Sequence, residues 1–374
     1  MTDIVIPDAM KPADGRFGSG PSKVRPAAVA ALAEASRSFL GTSHRQPTVR
    51  NVVGRVRSGL HDLFSLPDGY EVLLGNGGST SFWDSASFGL IERRSQHVSI
   101  GEFSSKFGAV TAGAPHLDDP EIITTAPGLV PNLNVARAGI DAYCLPHNET
   151  STGVMCSIAR PEGASDDQLV LVDATSGAGG LRVDPNQFDV YYFAAQKCFA
   201  GDGGLWFALV SPRAIERIER ISATKRWVPA SLDLATALGQ SRLDQTYNTP
   251  ALSTVFLMAQ QVNWMLENGG LEWCASRCDQ SAASIYEWAD DHKLASPFVE
   301  AAARSHVTAT IDFDETIDAL HIAKVLRANG ILDIDSYRKL GRNQLRVALF
   351  PAIDPSDIVA LQHCIDYVIE RSQS

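Results

Sequence analysis

The chain is poor in the features that would assign it to a membrane, a metal or a nucleic acid. Its six cysteines (Cys144, Cys156, Cys198, Cys274, Cys278 and Cys364) form no CxxC pair, and its nine histidines form no HExxH motif or His–Cys cluster. That spacing excludes the common metal frameworks and makes free thiols in a reducing compartment the expectation. Positive charge is scarce, with 32 Lys and Arg against 43 Asp and Glu and a formal net charge of -11. Such a balance argues against a nucleic-acid or anionic-membrane partner. There is no apolar run of about eighteen residues, and the opening MTDIVIPDAMKPADGR lacks the apolar core of a signal peptide. A cytoplasmic protein is therefore expected. Neither GxGxxG nor GxxxxGK[ST] occurs, so nicotinamide and nucleotide readings lose their motifs.

What is present is a core. The chain has 374 residues and is 45% hydrophobic, ample for a large domain with a smaller companion. Residues 1–25, rich in Pro, Gly and basic side chains, read as an irregular arm. Pro26–Phe39 and Val49–Phe64 read as helices, the second with Val49, Val52, Val53, Val56, Leu60 and Leu63 on one face. Short strands then alternate with helices to about residue 210, which predicts an α/β fold with a mainly parallel sheet covered on both faces. The rhythm changes toward the end. Strands are expected at His306–Phe313 and Gln344–Phe350, a helix at 316–329 stopped by Gly330, and a last helix opened by Asp354 and Pro355. The expected division is a large domain over 26–260 and a small α+β domain over 261–374, with the boundary somewhere within 255–270.

Two charged residues stand at strand ends. Leu169–Val172 leads into Asp173, and Val190–Phe193 leads shortly into Lys197. Both apolar runs suit buried parallel strands, and open α/β sheets bind ligands at the carboxyl edge. Alone, the lysine would read as a surface residue and the aspartate as a helix cap. Together they are what pyridoxal phosphate requires: a lysine to form the Schiff base and an acid to keep the pyridine nitrogen protonated. A second motif supports the pair. Glu71–Leu74 runs into Gly75-Asn76-Gly77-Gly78-Ser79-Thr80 and then a helix, where free backbone N–H groups and two hydroxyls could receive a phosphate. Asn148 and Thr150 of HNETSTGV, and Gln196 beside the lysine, could face the same edge.

With these residues in view, the chain resembles the fold-type I, class V aminotransferases, and within them the actinobacterial phosphoserine aminotransferases. The resemblance runs through RFGSGPSKVRP, GTSHRQ, GNGGSTSFWD, HNETSTGV, VDATSGAGG, AAQKCFAGDGGLW, QTYNTPA and YRKLGRNQLRVALFP, in that order. It implies a seven-stranded-type sheet in the large domain and a homodimer with shared sites. It also implies amino transfer from L-glutamate to 3-phosphohydroxypyruvate in L-serine biosynthesis, with no metal. Lys197 and Asp173 would be the catalytic pair. Ser79, Thr80 and Gln196 would hold the cofactor phosphate, Thr150 the ring's phenolic oxygen, and Asn248 and Thr249 the phosphate of the neighbouring subunit. Phe103 stands where relatives carry a ring-stacking tryptophan. His44, Arg45 and Arg338 would meet the distal anion of the substrate and Arg346 its α-carboxylate. Many relatives have His-Arg where this chain has Tyr337-Arg338, and Arg342 could supply the charge such a histidine would give. The alternatives are another class V aminotransferase of the alanine–glyoxylate or serine–pyruvate type, or a protein that binds the cofactor without turnover.

Overall fold

Seven strands make the main sheet of the computed structural model, which describes residues 4–131 and 135–373. The first three residues of the expected arm therefore lie outside the described part. In chain order the strands are β1 (Glu71–Asn76), β2 (Ser95–Ser99), β3 (Glu121–Thr124) and β4 (Ala142–Pro146). After the short ribbon of β5 (Asn148–Glu149) and β6 (Val154–Met155) come β7 (Leu169–Asp173), β8 (Val190–Ala194) and β9 (Leu205–Val210). Their spatial order is β1-β9-β8-β7-β4-β2-β3. All run parallel except β9, which pairs antiparallel with both β8 and β1. The central strands read LVLV and VYYFA because helices cover both faces and leave no side for polar alternation.

The helix expected at Val49–Phe64 spans Pro47–Leu63, its proline in the first turn, where an N–H would have no partner in the helix. Its valine face and Leu60 pack with Val255, Met258 and Val262 of the helix Leu252–Glu267 into the core on one side of the large sheet. At Gly269 the chain turns, and the helix Gly270–Asp291 lies against a second sheet. That sheet has three antiparallel strands, β10 (Ala295–Pro297), β11 (Thr308–Phe313) and β12 (Gln344–Ala348). Sequence periodicity gave two of them; β10, three residues ending in proline, is too short to carry an alternation. Ile6 and Phe17 of the arm are buried in this second core. The arm is thus more than a crossing segment: Phe17 donates its N–H to the Leu332 carbonyl and accepts from the Ala348 N–H.

Candidate active site

Because β1, β4, β7 and β8 run the same way, the segments that follow them emerge on one edge. A cavity of about 410 Å³ opens there, lined among others by Gly78, Ser79, Thr80, Asp173, Gln196 and Lys197. Asp173 ends β7, directly opposite Tyr192 of β8. Its carboxylate takes four hydrogen bonds. Oδ1 accepts from the Thr175 backbone N–H at 3.0 Å and the Thr175 hydroxyl at 2.6 Å. Oδ2 accepts from the Trp83 indole N–H at 3.0 Å and the Tyr192 hydroxyl at 3.1 Å.

Lys197 follows β8 across the turn Ala195-Gln196. It is 9% exposed, and its ammonium donates to the Ser19 carbonyl of the arm. Ser22 seals the approach by donating its hydroxyl to the Lys197 carbonyl at 2.6 Å. Between them lies Gly20 at φ +133°, where a Cβ would come within 2.3 Å of the lysine Nζ. Only glycine allows the arm so close. Burial, reinforced by the Arg346 cation, brings the Lys197 amine down to about 8. The neutral amine is the form that captures an aldehyde. The capture rate of pyridoxal phosphate by the apoprotein should therefore rise with pH up to about 8 and level off above it, whereas an ordinary lysine would keep accelerating toward about 10.4. Stopped-flow absorbance would measure this; a rate still climbing about tenfold per unit beyond pH 9.5 would contradict the buried-amine account.

The glycine-rich turn leads into the helix Ser79–Gly89. Gly77 and Gly78 sit at φ +115° and +79°, and a Cβ on Gly77 would meet the Ser81 hydroxyl at 2.1 Å. The turn therefore presents the helix's first N–H groups to the cavity, the end at which anions are favoured. Thr150 and Asn148 both donate to the Ser176 hydroxyl, at 2.8 and 2.9 Å. Phe103 stands in the first turn of the helix Glu102–Ala112 at the cavity wall, its ring 5.8 Å from that of Tyr337. The end of that helix is held by Glu149, 1% exposed, which accepts from the Ser104 N–H at 2.9 Å and hydroxyl at 2.8 Å.

A second cavity of about 620 Å³ shares Gly20 and Pro21 with the first and is lined by Arg338, Arg342 and Arg346. Arg346, in β12, donates to the Thr150 carbonyl at 3.2 Å and lies over the Tyr337 ring at 5.4 Å. Arg338 is exposed at its rim. Arg342 differs: its guanidinium is engaged by Asp312, with Nε donating at 3.1 Å, and lies 4.4 Å from the Phe298 ring. Its charge is already matched by a carboxylate.

His44, Arg45, Asn248 and Thr249 do not line either cavity. His44 and Thr249 meet each other at 3.3 Å, and Arg45 donates to Gln245 at 2.9 Å. Asn248 and Thr249 lie beside the end of β1, where the Asn76 side-chain amide donates to both of their backbone carbonyls at 3.4 Å. Sequence reading did not single out Trp83, Thr175, Ser176, Tyr192, Glu149 or Ser19. Trp83 carried a signal, one helical turn beyond Ser79. Tyr192 carried none, since its role follows from strand register.

Residues 135–333 match the family described as Aminotransferase class-V. The chain is 56% identical to "Phosphoserine aminotransferase" of a Nocardioides species, over 99% of this chain and 100% of the relative. It is 55% identical to the protein of the same name from Corynebacterium glutamicum, over 99% and 98%. Among solved structures, a phosphoserine aminotransferase from Cytophaga hutchinsonii superposes with a TM-score of 0.86 at 25% identity, covering 94% of this chain and 99% of its own. One from Bacillus circulans subsp. alkalophilus, at 22% identity and a TM-score of 0.83, shares the fold over 96% and 99%. The chain belongs to the class V aminotransferases and, within them, to the phosphoserine aminotransferases.

Proposed function

We propose that this protein uses pyridoxal phosphate to transfer the amino group of L-glutamate to 3-phosphohydroxypyruvate, forming O-phospho-L-serine and 2-oxoglutarate. The observation that carries this reading is the pairing of a buried amine, Lys197, with a four-bonded carboxylate, Asp173, in one cavity beside an arginine-lined one. The donor set fits the cofactor. A helix N-terminus carrying the Ser79 and Thr80 hydroxyls lines the same cavity as Lys197 and Asp173 and offers donors for a phosphate. Ser79, Thr80 and Gln196 would hold that phosphate, Thr150 the phenolic oxygen and Asp173 the ring nitrogen, with Phe103 against the ring face. When bound, the cofactor supplies an electron sink for charge left at the substrate's Cα and carries the amino group between half-reactions.

The chain's own residues do the rest. Lys197 Nζ, as the free amine, takes the proton from Cα of the donor, and the same amine returns a proton in the second half-reaction. Arg346 fixes the α-carboxylate of both substrates. Its Nε is buried without a hydrogen-bond partner among the described residues, so an incoming carboxylate completes a charge-assisted pair. Arg338 meets the phosphate or the glutamate γ-carboxylate. Arg342, tied to Asp312, would shape the rim more than it binds.

His44, Arg45, Asn248 and Thr249 are assigned to the neighbouring site of a homodimer. What supports this is that none of the four lines the cavity that holds Lys197 of their own protomer. Sedimentation should find twice the 40.3 kDa chain mass, and a monomer with full activity would refute it.

The function is tested by absorbance. Glutamate should bleach the near-visible band of the holoenzyme, and phosphohydroxypyruvate but not pyruvate should restore it. Pyruvate restoring it equally would favour the alanine–glyoxylate type. In the Arg338→Ala variant, kcat/KM for phosphohydroxypyruvate should fall about tenfold to a hundredfold, with a smaller loss for a keto acid lacking a distal anion. Equal losses for both would deny Arg338 its phosphate role.

A further inference from the structure

Asp173 is held on two sides, and only one of them is local. Thr175 bonds Oδ1 from two residues away, which any aspartate after a strand can arrange for itself. The bonds to Oδ2 come from two other elements. Trp83 reaches it from the helix Ser79–Gly89 and Tyr192 from the adjacent strand β8. Both donors are rigid. Trp83 is 3% exposed and lies flat against Phe107 at 6.3 Å and 15°, while Tyr192 is fully buried and stacks on Phe82 at 4.4 Å.

We propose that Trp83 and Tyr192 are positioning residues for Asp173, fixing the rotation of its carboxylate so that it meets the cofactor's ring nitrogen squarely. With Oδ1 bonded only from within its own turn, the carboxylate could pivot about its Cβ–Cγ bond with Thr175 following. Two donors on Oδ2, anchored in separate elements, remove that freedom. Burial raises the Tyr192 phenol well above its ordinary range, so its hydroxyl stays a donor at every working pH. The helix that offers its N-terminus to the phosphate also carries Trp83 one turn on. The Ser79 and Thr175 hydroxyls, 2.8 Å apart, make a second link between the phosphate end and the carboxylate. One helix thereby sets the distance between the two ends of the cofactor it would hold.

The inference rests on Asp173 being the partner of the ring nitrogen, so the experiment separates the two. Holoenzyme is prepared with pyridoxal phosphate labelled with nitrogen-15 in the ring, as wild type, Tyr192→Phe, Trp83→Phe and Asp173→Asn. Tyr192→Phe removes one oxygen from an otherwise unchanged stack, so it carries the test even where Trp83→Phe fails to fold. Its ring-nitrogen resonance should move toward that of an unprotonated pyridine, and kcat should fall about tenfold to a hundredfold with KM for glutamate nearly constant. Trp83→Phe should move both in the same direction. The proposal is overturned if Asp173→Asn shifts the resonance and collapses kcat while both aromatic variants keep wild-type values. Lower melting temperature with resonance and kcat unchanged would likewise reduce the two residues to packing and overturn it. An unmoved resonance in Asp173→Asn would remove the underlying reading of Asp173 itself.

Discussion

Lys197→Ala protein loses its near-visible absorbance and its turnover together. The amine would be both the covalent anchor of the cofactor and the base at Cα, and Lys197 is the only lysine among the described residues that line this cavity. Loss of general acid–base catalysis alone accounts for about two to four orders of magnitude in kcat, and loss of the anchor lowers cofactor retention as well. The fold should survive. Among the described residues the ammonium has one hydrogen bond, to the Ser19 carbonyl, and burial works against its charge. Removing a desolvated cation costs little stability and can return some. The expected protein is thus folded, colourless and inactive, and a variant with normal turnover would sink the assignment of Lys197.

Arg346→Ala should be the next most damaging change, and its signature is that both half-reactions suffer alike. Every amino and keto acid in the reaction carries an α-carboxylate, whereas only one pair carries a phosphate. Charged hydrogen bonds are worth about 1.5–3 kcal/mol each, so losing a forked pair should lower kcat/KM about a hundredfold to twenty-thousandfold for glutamate and phosphohydroxypyruvate. Arg346→Lys should recover only part, because an ammonium cannot fork. A second effect separates this from simple loss of fold. The Arg346 cation helps hold the Lys197 amine down to about 8, so removing it should move the pH limb of cofactor capture upward. Undiminished kcat/KM for glutamate, or losses confined to the phosphorylated substrate, would rule the α-carboxylate role out.

The features legible in the sequence were those written in consecutive residues. A buried parallel strand announces itself as LVLVD or VYYFA, and a phosphate-cradling turn needs glycines in a row, so β7, β8 and the turn before Ser79 could be read directly. Helix Pro26–Phe39 was legible for the same reason, through its alanine-rich composition. The antiparallel course of β9 was not, because a buried strand reads the same in both directions. The partners of Asp173 on Oδ2 were hidden too, since Trp83 and Tyr192 meet it through helix packing and register. Arginines showed the limit most clearly. Arg342 and Arg338 look equivalent in YRKLGRNQLR, yet Asp312 on the neighbouring strand engages one and leaves the other at the rim.

The arm that closes over Lys197 has a consequence for the order of assembly. Residues 15–17 bond Leu332 and Ala348, and Ser22 bonds Gln196 and Lys197, so this short stretch joins parts of the chain separated by 174 to 331 positions. Contacts of such span are the slowest to form, because the intervening loop must first be closed. The first part of this wall to leave the ribosome is therefore among the last to find its place. Until it does, the amine faces water and should keep an ordinary basicity. Acquisition of the cofactor's colour then marks the end of folding, when early and late segments of the chain have met across the same cavity.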